Sequence, residues 1–224
     1  MGKLLTECFY FAKSNFSAIL KLFGPYIIVT SLLSPSVELL NISSNFDWVN
    51  PLYLVVLSFL YTYLMARFIK LMAFTVSGYQ SENGTSWTEL WRLLIVYSFY
   101  GIAVLLGFIA LIIPGLYLAA KYAFADFEAI LNDKPAFSAL NESWRDTKGI
   151  TGKLMLATTL IGSFQLVIGF VSGSIGESLP SMYLVTEIFY EFISASTMIF
   201  MSIVYFRLYT ESKSVENVSL EEKA

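Results

Sequence analysis

The chain has 224 residues, 56% of them hydrophobic and only 14% charged, with a mean hydropathy of +0.65 and a formal net charge of −3. An average water-soluble domain is roughly 25% charged, so this composition excludes the soluble, disordered and nucleic-acid-binding classes and leaves a membrane protein. With no histidine and a single cysteine, Cys8, the commonest general base, the commonest metal ligand, thiolate cages and intramolecular disulfides are gone, and no cofactor is expected.

In chain order, the first predicted element is an amphipathic helix. At about 100° per residue, Leu4, Leu5, Cys8, Phe9, Phe11, Ala12 and Phe16 fall on one face, opposite Lys3, Thr6, Glu7, Lys13 and Ser14. Such a helix either lies in the headgroup plane or packs on the cytoplasmic face of its own protein. Glu7 and Lys13 interrupt any early apolar core, so no cleavable signal peptide is expected.

The membrane spans follow. A hydrocarbon core about 30 Å thick needs roughly 20 apolar residues in a helix. The predicted spans are 19–37, 51–70, 93–113, 116–132, 154–174 and 184–206. Leu93 to Ala120 is a charge-free run of 28 residues, Leu154 to Gly176 of 23, and Trp48 to Ala66 of 19. Pro114-Gly115 divides the longest run, and the stretch after it carries Lys121, Asp126 and Glu128. Its length alone fits a crossing, a half-helix or an interfacial helix.

Basic residues decide between these. Thirteen of the 14 Lys and Arg lie before or at the start of the first span, from the end of span two to the start of span three, between spans four and five, or after span six. If 116–132 crosses, all thirteen share one face, as the positive-inside rule requires; Lys121 is the one exception. The expectation is therefore an all-α integral membrane protein, a bundle of six transmembrane helices forming one polytopic domain over 1–210. A short acidic tail, 211–224, follows, and both termini are cytoplasmic. Two further amphipathic elements are predicted on that side. Ser86 to Glu89 reads as a capping box, followed by Trp87, Leu90, Trp91 and Leu94 on one face. Asp133 to Thr147 places Ala136, Ala139, Leu140, Ser143 and Trp144 on one face, with Pro135 in its first turn and Gly149 as its C-terminal cap.

Charges inside a bilayer are costly, so each is a functional candidate. The sharp reading groups Lys121, Glu187, Glu191 and Gln165 into an intramembrane polar cluster that binds an ion or passes protons. The plainer reading neutralises Lys121 with one glutamate and leaves Asp126 and Glu128 near the cytoplasmic surface. The aromatic residues read as lipid-facing filler and interfacial belts. Gly169 to Gly173 forms a GxxxG stretch, which serves either packing within the chain or a homo-oligomer. Enzyme signatures are missing: without histidine there is no metalloprotease site or Ser/His couple, and no nucleotide-binding loop occurs. The expected catalytic, cofactor and metal sets are empty.

One set of residues carries a family resemblance. Pro114-Gly115, an apolar helix, then Ala139-Leu140, Ser143-Trp144 and Thr147-Lys148-Gly149 resemble the YciC family of bacterial inner-membrane proteins. They are also similar to the membrane domain attached to some glycerophosphoryl diester phosphodiesterases. The resemblance implies a six-span protein of the bacterial cytoplasmic (inner) membrane with no catalytic residue to carry over. The expected function is non-enzymatic: a structural, lipid- or protein-interacting role in envelope maintenance. Its partners would be the lipid bilayer and anionic phospholipids at the cytoplasmic face. The alternative is a small transporter or channel using polar residues of spans four and six.

Overall fold

The computed structural model describes residues 2–44, 49–78 and 84–221. Asp47 and Trp48 of the expected outer connection, and Lys223 of the tail, lie outside them. Among the described residues every regular element is helical. They are α1 (Gly2–Ser14), α2 (Phe16–Ser44), α3 (Val49–Ser77), α4 (Trp87–Ala110), α5 (Ile112–Lys121), α6 (Ala125–Leu131), α7 (Ala136–Asp146), α8 (Thr151–Ser178) and α9 (Tyr183–Glu221), with one 3-10 turn at Pro180–Met182.

Among the described residues, five helices contain segments long and apolar enough to cross a membrane: Phe16–Leu33, Pro51–Ser77, Trp87–Ala110, Thr151–Ser178 and Tyr183–Ser214. The remaining expected span, 116–132, is not one continuous helix. It is broken by a turn at 122–124 into α5 and α6. The preceding break also moves. Helix α4 stops at Ala110, where Leu111 is extended (φ −169°, ψ 158°), and Pro114 sits in the first turn of α5. A first-turn proline removes an amide that has no intrahelical partner anyway, so the chain turns before Pro114 and not at it.

The α4–α5 turn is tight because it has glycine on both sides. A Cβ added to Gly107 would lie 2.8 Å from the Gly115 backbone, and one added to Gly115 would lie 2.6 Å from the Phe108 ring. Gly107 therefore meets rigid backbone, and Gly115 meets the near end of the Phe108 ring.

In the bundle α2 packs on α3 and α9, α3 on α4, α4 on α5, α5 on α8, and α8 on α9. The circuit closes, with α6 set against α3 and α4 at one end. Ion pairs define that end. Lys70 joins Glu89 at 2.8 Å across the α3–α4 connection, Arg92 joins Asp133 at 2.8 Å, and Glu7 of α1 meets Arg207 of α9 at 3.1 Å. This basic end also holds the core, including the fully buried Phe23, Phe68, Phe124, Phe127, Leu154 and Leu208. Toward the other end the helices turn large apolar side chains outward, among them Val55, Ile109, Leu166 and Phe170.

The expected capping box is present: the Ser86 amide donates to Glu89 Oε2 at 3.0 Å and Thr88 N–H donates to Ser86 Oγ at 3.2 Å. Trp87 and Trp91 face outward while Leu90 is buried. Helix α1 packs mainly on α9, burying Cys8, with Phe9, Tyr10 and Phe16 left outside. Burial pushes the Cys8 thiol up to about 11, so it stays protonated near neutral pH and makes a poor nucleophile. Pro135 stands at the N-cap of α7, not inside its first turn, and Thr147 takes the C-cap position expected of Gly149. Helix α9 runs on through the expected tail to Glu221, and Lys213 reaches back into the bundle.

Candidate functional site

Breaking a helix exposes carbonyls on one side and amides on the other, and inside a protein each needs a partner. Between α5 and α6 one hydroxyl supplies two of these bonds. Ser143 Oγ of α7 donates to the Lys121 carbonyl at 2.8 Å and accepts from Phe124 N–H at 3.0 Å. Thr147 Oγ1 stands 3.4 Å from the same carbonyl. Ser143, Thr147 and Phe124 are all fully buried. The small Ala136 and Ala139 let α7 approach closely, so the motif residues Ala139 and Ser143 act as a clamp on the broken helix.

Lys121 belongs to this clamp. It is 4% exposed, its Nζ donates to the Trp144 carbonyl at 3.0 Å, and it lies 5.2 Å from the Trp144 ring and 5.8 Å from the Tyr117 ring. A carbonyl and two π-faces stabilise the ammonium without a counter-ion. The expected cluster therefore does not form around Lys121. Glu191 lies beside Tyr26 of α2, and Glu187 sits one turn earlier on α9. Gln165 is on α8, its Oε1 buried without a hydrogen-bond partner. Of the remaining motif residues, Pro114 and Gly115 build the α4–α5 turn, Leu140 and Trp144 line α7, and Lys148 and Gly149 are exposed beyond its end.

Glu128 is the other buried charge of this region, with 0% exposure. Its Oε2 takes Lys134 Nζ at 2.7 Å and Asn132 Nδ2 at 2.8 Å; its Oε1 takes Lys213 Nζ at 3.0 Å and the Tyr209 hydroxyl at 3.1 Å. Each oxygen thus receives one cation and one neutral donor, which is what keeps an ionised carboxylate stable inside a protein. Lys213 also pairs with Asp146 at 2.7 Å, so the network ties α6, α7 and α9 together. The plainer expectation placed Glu128 close to the surface; the side chain is instead enclosed at the basic end.

The cavity beside this clamp was missed from the sequence. About 280 Å³ of space lies between α3, α4, the α5–α6 turn and α9, lined by Tyr61, Tyr97, Tyr100, Tyr122, Tyr205 and Asp126 together with methionines and Ser202. The Tyr97 hydroxyl is 3.4 Å from Asp126 Oδ2, longer than a strong O–H···O bond, and the Phe127 amide donates to Asp126 Oδ1 at 2.9 Å. Ser202 Oγ is buried without a hydrogen-bond partner. The signal was the spacing of Tyr97 with Tyr100 on α4, of Tyr61 with Met65 on α3, and of Met198, Met201, Ser202 and Tyr205 on α9. Each set keeps to one helix face. These tyrosines converge on one space and are not lipid-facing filler.

A second cavity, about 510 Å³, opens between α2 and α9 and is lined by Gly24, Ile27, Ile28, Leu32, Ile188 and Phe192 among others. It is apolar apart from Ser31, whose Oγ is buried without a partner. Gly169 of the GxxxG stretch packs toward Tyr190 of α9, whereas nothing lies near Gly173. Comparison with protein-family models, with curated proteins and with solved structures finds no match to this chain.

Proposed function

We propose that this is a non-enzymatic, six-crossing protein of the bacterial cytoplasmic membrane that acts by holding lipid. The observation that carries the reading is the apolar groove between α2 and α9. It lies within two membrane-spanning segments and its accessible lining is apolar, so the medium that fills it is acyl chain. Exposed Trp87 and Trp91 near Lys70 and Arg92 suit a headgroup boundary with anionic lipids. The family resemblance read from the Pro114-Gly115 and Ser143 motifs points the same way, toward a non-enzymatic membrane protein.

In this proposal α5 and α6 together make the fourth crossing, with the basic end in the cytoplasm. Alkaline phosphatase fused after Ser178 is expected to be active and one fused after Lys148 silent; activity at Lys148 breaks the six-crossing arrangement. For the groove, native mass spectrometry of the detergent-purified protein should retain lipid adducts, and Gly24→Trp, which fills the groove, should remove most of them. Equal lipid retention by the variant rejects the groove as the holding site. A second reading, a small transporter using polar residues of spans four and six, is favoured by the tyrosine cavity with Asp126 and Ser202.

A further inference from the structure

A lone carboxylate inside a helix bundle must be neutralised by a proton, by a protein cation or by a ligand. Glu128 has two lysines. Asp126, two residues earlier, has none among the described residues, of which no basic side chain lines its cavity. What surrounds it instead is a set of five tyrosines, the thioethers of Met65, Met198 and Met201, and the unpartnered Ser202 hydroxyl. Aromatic faces around a single carboxylate bind organic ammonium ions, through cation–π attraction and one charge pair. They suit a hard metal ion poorly: Ca²⁺ or Mg²⁺ takes about six oxygen ligands, and among the described residues no group of three candidate metal-ligating side chains assembles.

We infer that the cavity bounded by Tyr61, Tyr97, Tyr100, Tyr122 and Tyr205 is a binding site for a small organic monocation, with Asp126 as its counter-charge. The ammonium group sits against the Asp126 carboxylate, and its alkyl substituents lie on the tyrosine rings and methionines. Size follows from the volume of about 280 Å³, which accommodates tetraalkylammonium ions with short chains and simple alkylamines. The site deepens the transporter reading but does not need transport: saturable binding without flux in proteoliposomes keeps the site and removes the transporter.

The test uses the full chain in detergent or nanodiscs, with tetramethylammonium, tetraethylammonium and butylammonium chlorides as probes against sodium chloride at equal concentration. Wild type is expected to gain thermal stability saturably with at least one organic cation. The apparent affinity should fall about tenfold or more in Asp126→Asn and severalfold in Tyr100→Leu. Undiminished affinity in Asp126→Asn overturns the inference, as does the absence of a saturable response to all three cations. Infrared difference spectra guard against a variant that folds poorly. Cation addition to wild type should perturb an ionised carboxylate band that Asp126→Asn lacks, and a protonated-carboxyl band indifferent to every cation overturns the inference.

Discussion

Replacing Glu128 with alanine is expected to destabilise the folded protein by about 3–5 kcal/mol, the usual cost of removing one partner from a buried ion pair. The side chain is fully enclosed and both oxygens are fully used, one cation and one neutral donor on each. Its loss leaves Lys134 and Lys213 beside each other without the carboxylate between them, Glu142 still lying near Lys134 and Asp146 near Lys213. Glu128→Gln should fall between wild type and alanine, because the amide keeps one acceptor but turns two donors toward Lys, Asn132 or Tyr209. Each lysine is 27% exposed on its side chain, so Lys134→Met or Lys213→Met should cost less than either change at Glu128. Reversible unfolding in mixed detergent micelles measures the series. A Glu128→Gln variant as stable as wild type means the network does not hold α6 to α9.

The second large effect is expected at Ser143. Alanine there leaves the Phe124 amide without a partner and the Lys121 carbonyl with only the long contact to Thr147. Orphaning a buried backbone group costs about 1–3 kcal/mol, so Ser143→Ala should lower stability by that amount. Thr147→Val should cost less alone, and the double variant more than the sum, since each hydroxyl backs up the other at one carbonyl. Amide hydrogen exchange gives the local readout: Phe124 should exchange faster in Ser143→Ala while amides in the middle of α8 stay unchanged. Uniform acceleration throughout the bundle would mean that Ser143 acts on global packing and not on the break.

These residues also mark where sequence reading stops. Long apolar runs are local facts, so the helices long and apolar enough to cross a membrane were legible from hydropathy, and the capping box from four adjacent residues. The fourth expected span was harder. Its break at 122–124 depends on Ser143 and Thr147, which lie about twenty residues downstream and become visible as caps only once α7 is docked. Lys121 was legible as anomalous but not as a partner of a backbone carbonyl, because sequence offers charges to pair with and not carbonyls. For the same reason Glu187 and Glu191 attracted attention as charges, while the tyrosines facing Asp126 did not. Aromatic residues in a membrane helix serve lipid contact by default, and only the rotation of three helices about a common space separates a cage from a belt.

The enclosure of Glu128 also has a consequence in time. The Tyr209 that hydrogen-bonds it follows 81 residues later in the chain, which is about 4–16 s of synthesis at the usual rate of translation. Of the four side chains that bond the carboxylate in the folded protein, only Asn132 and Lys134 have been made in that interval. A lysine six positions away is thus an escort as well as a structural partner: it lets a charged helix wait near the membrane until the last segment arrives to seal it.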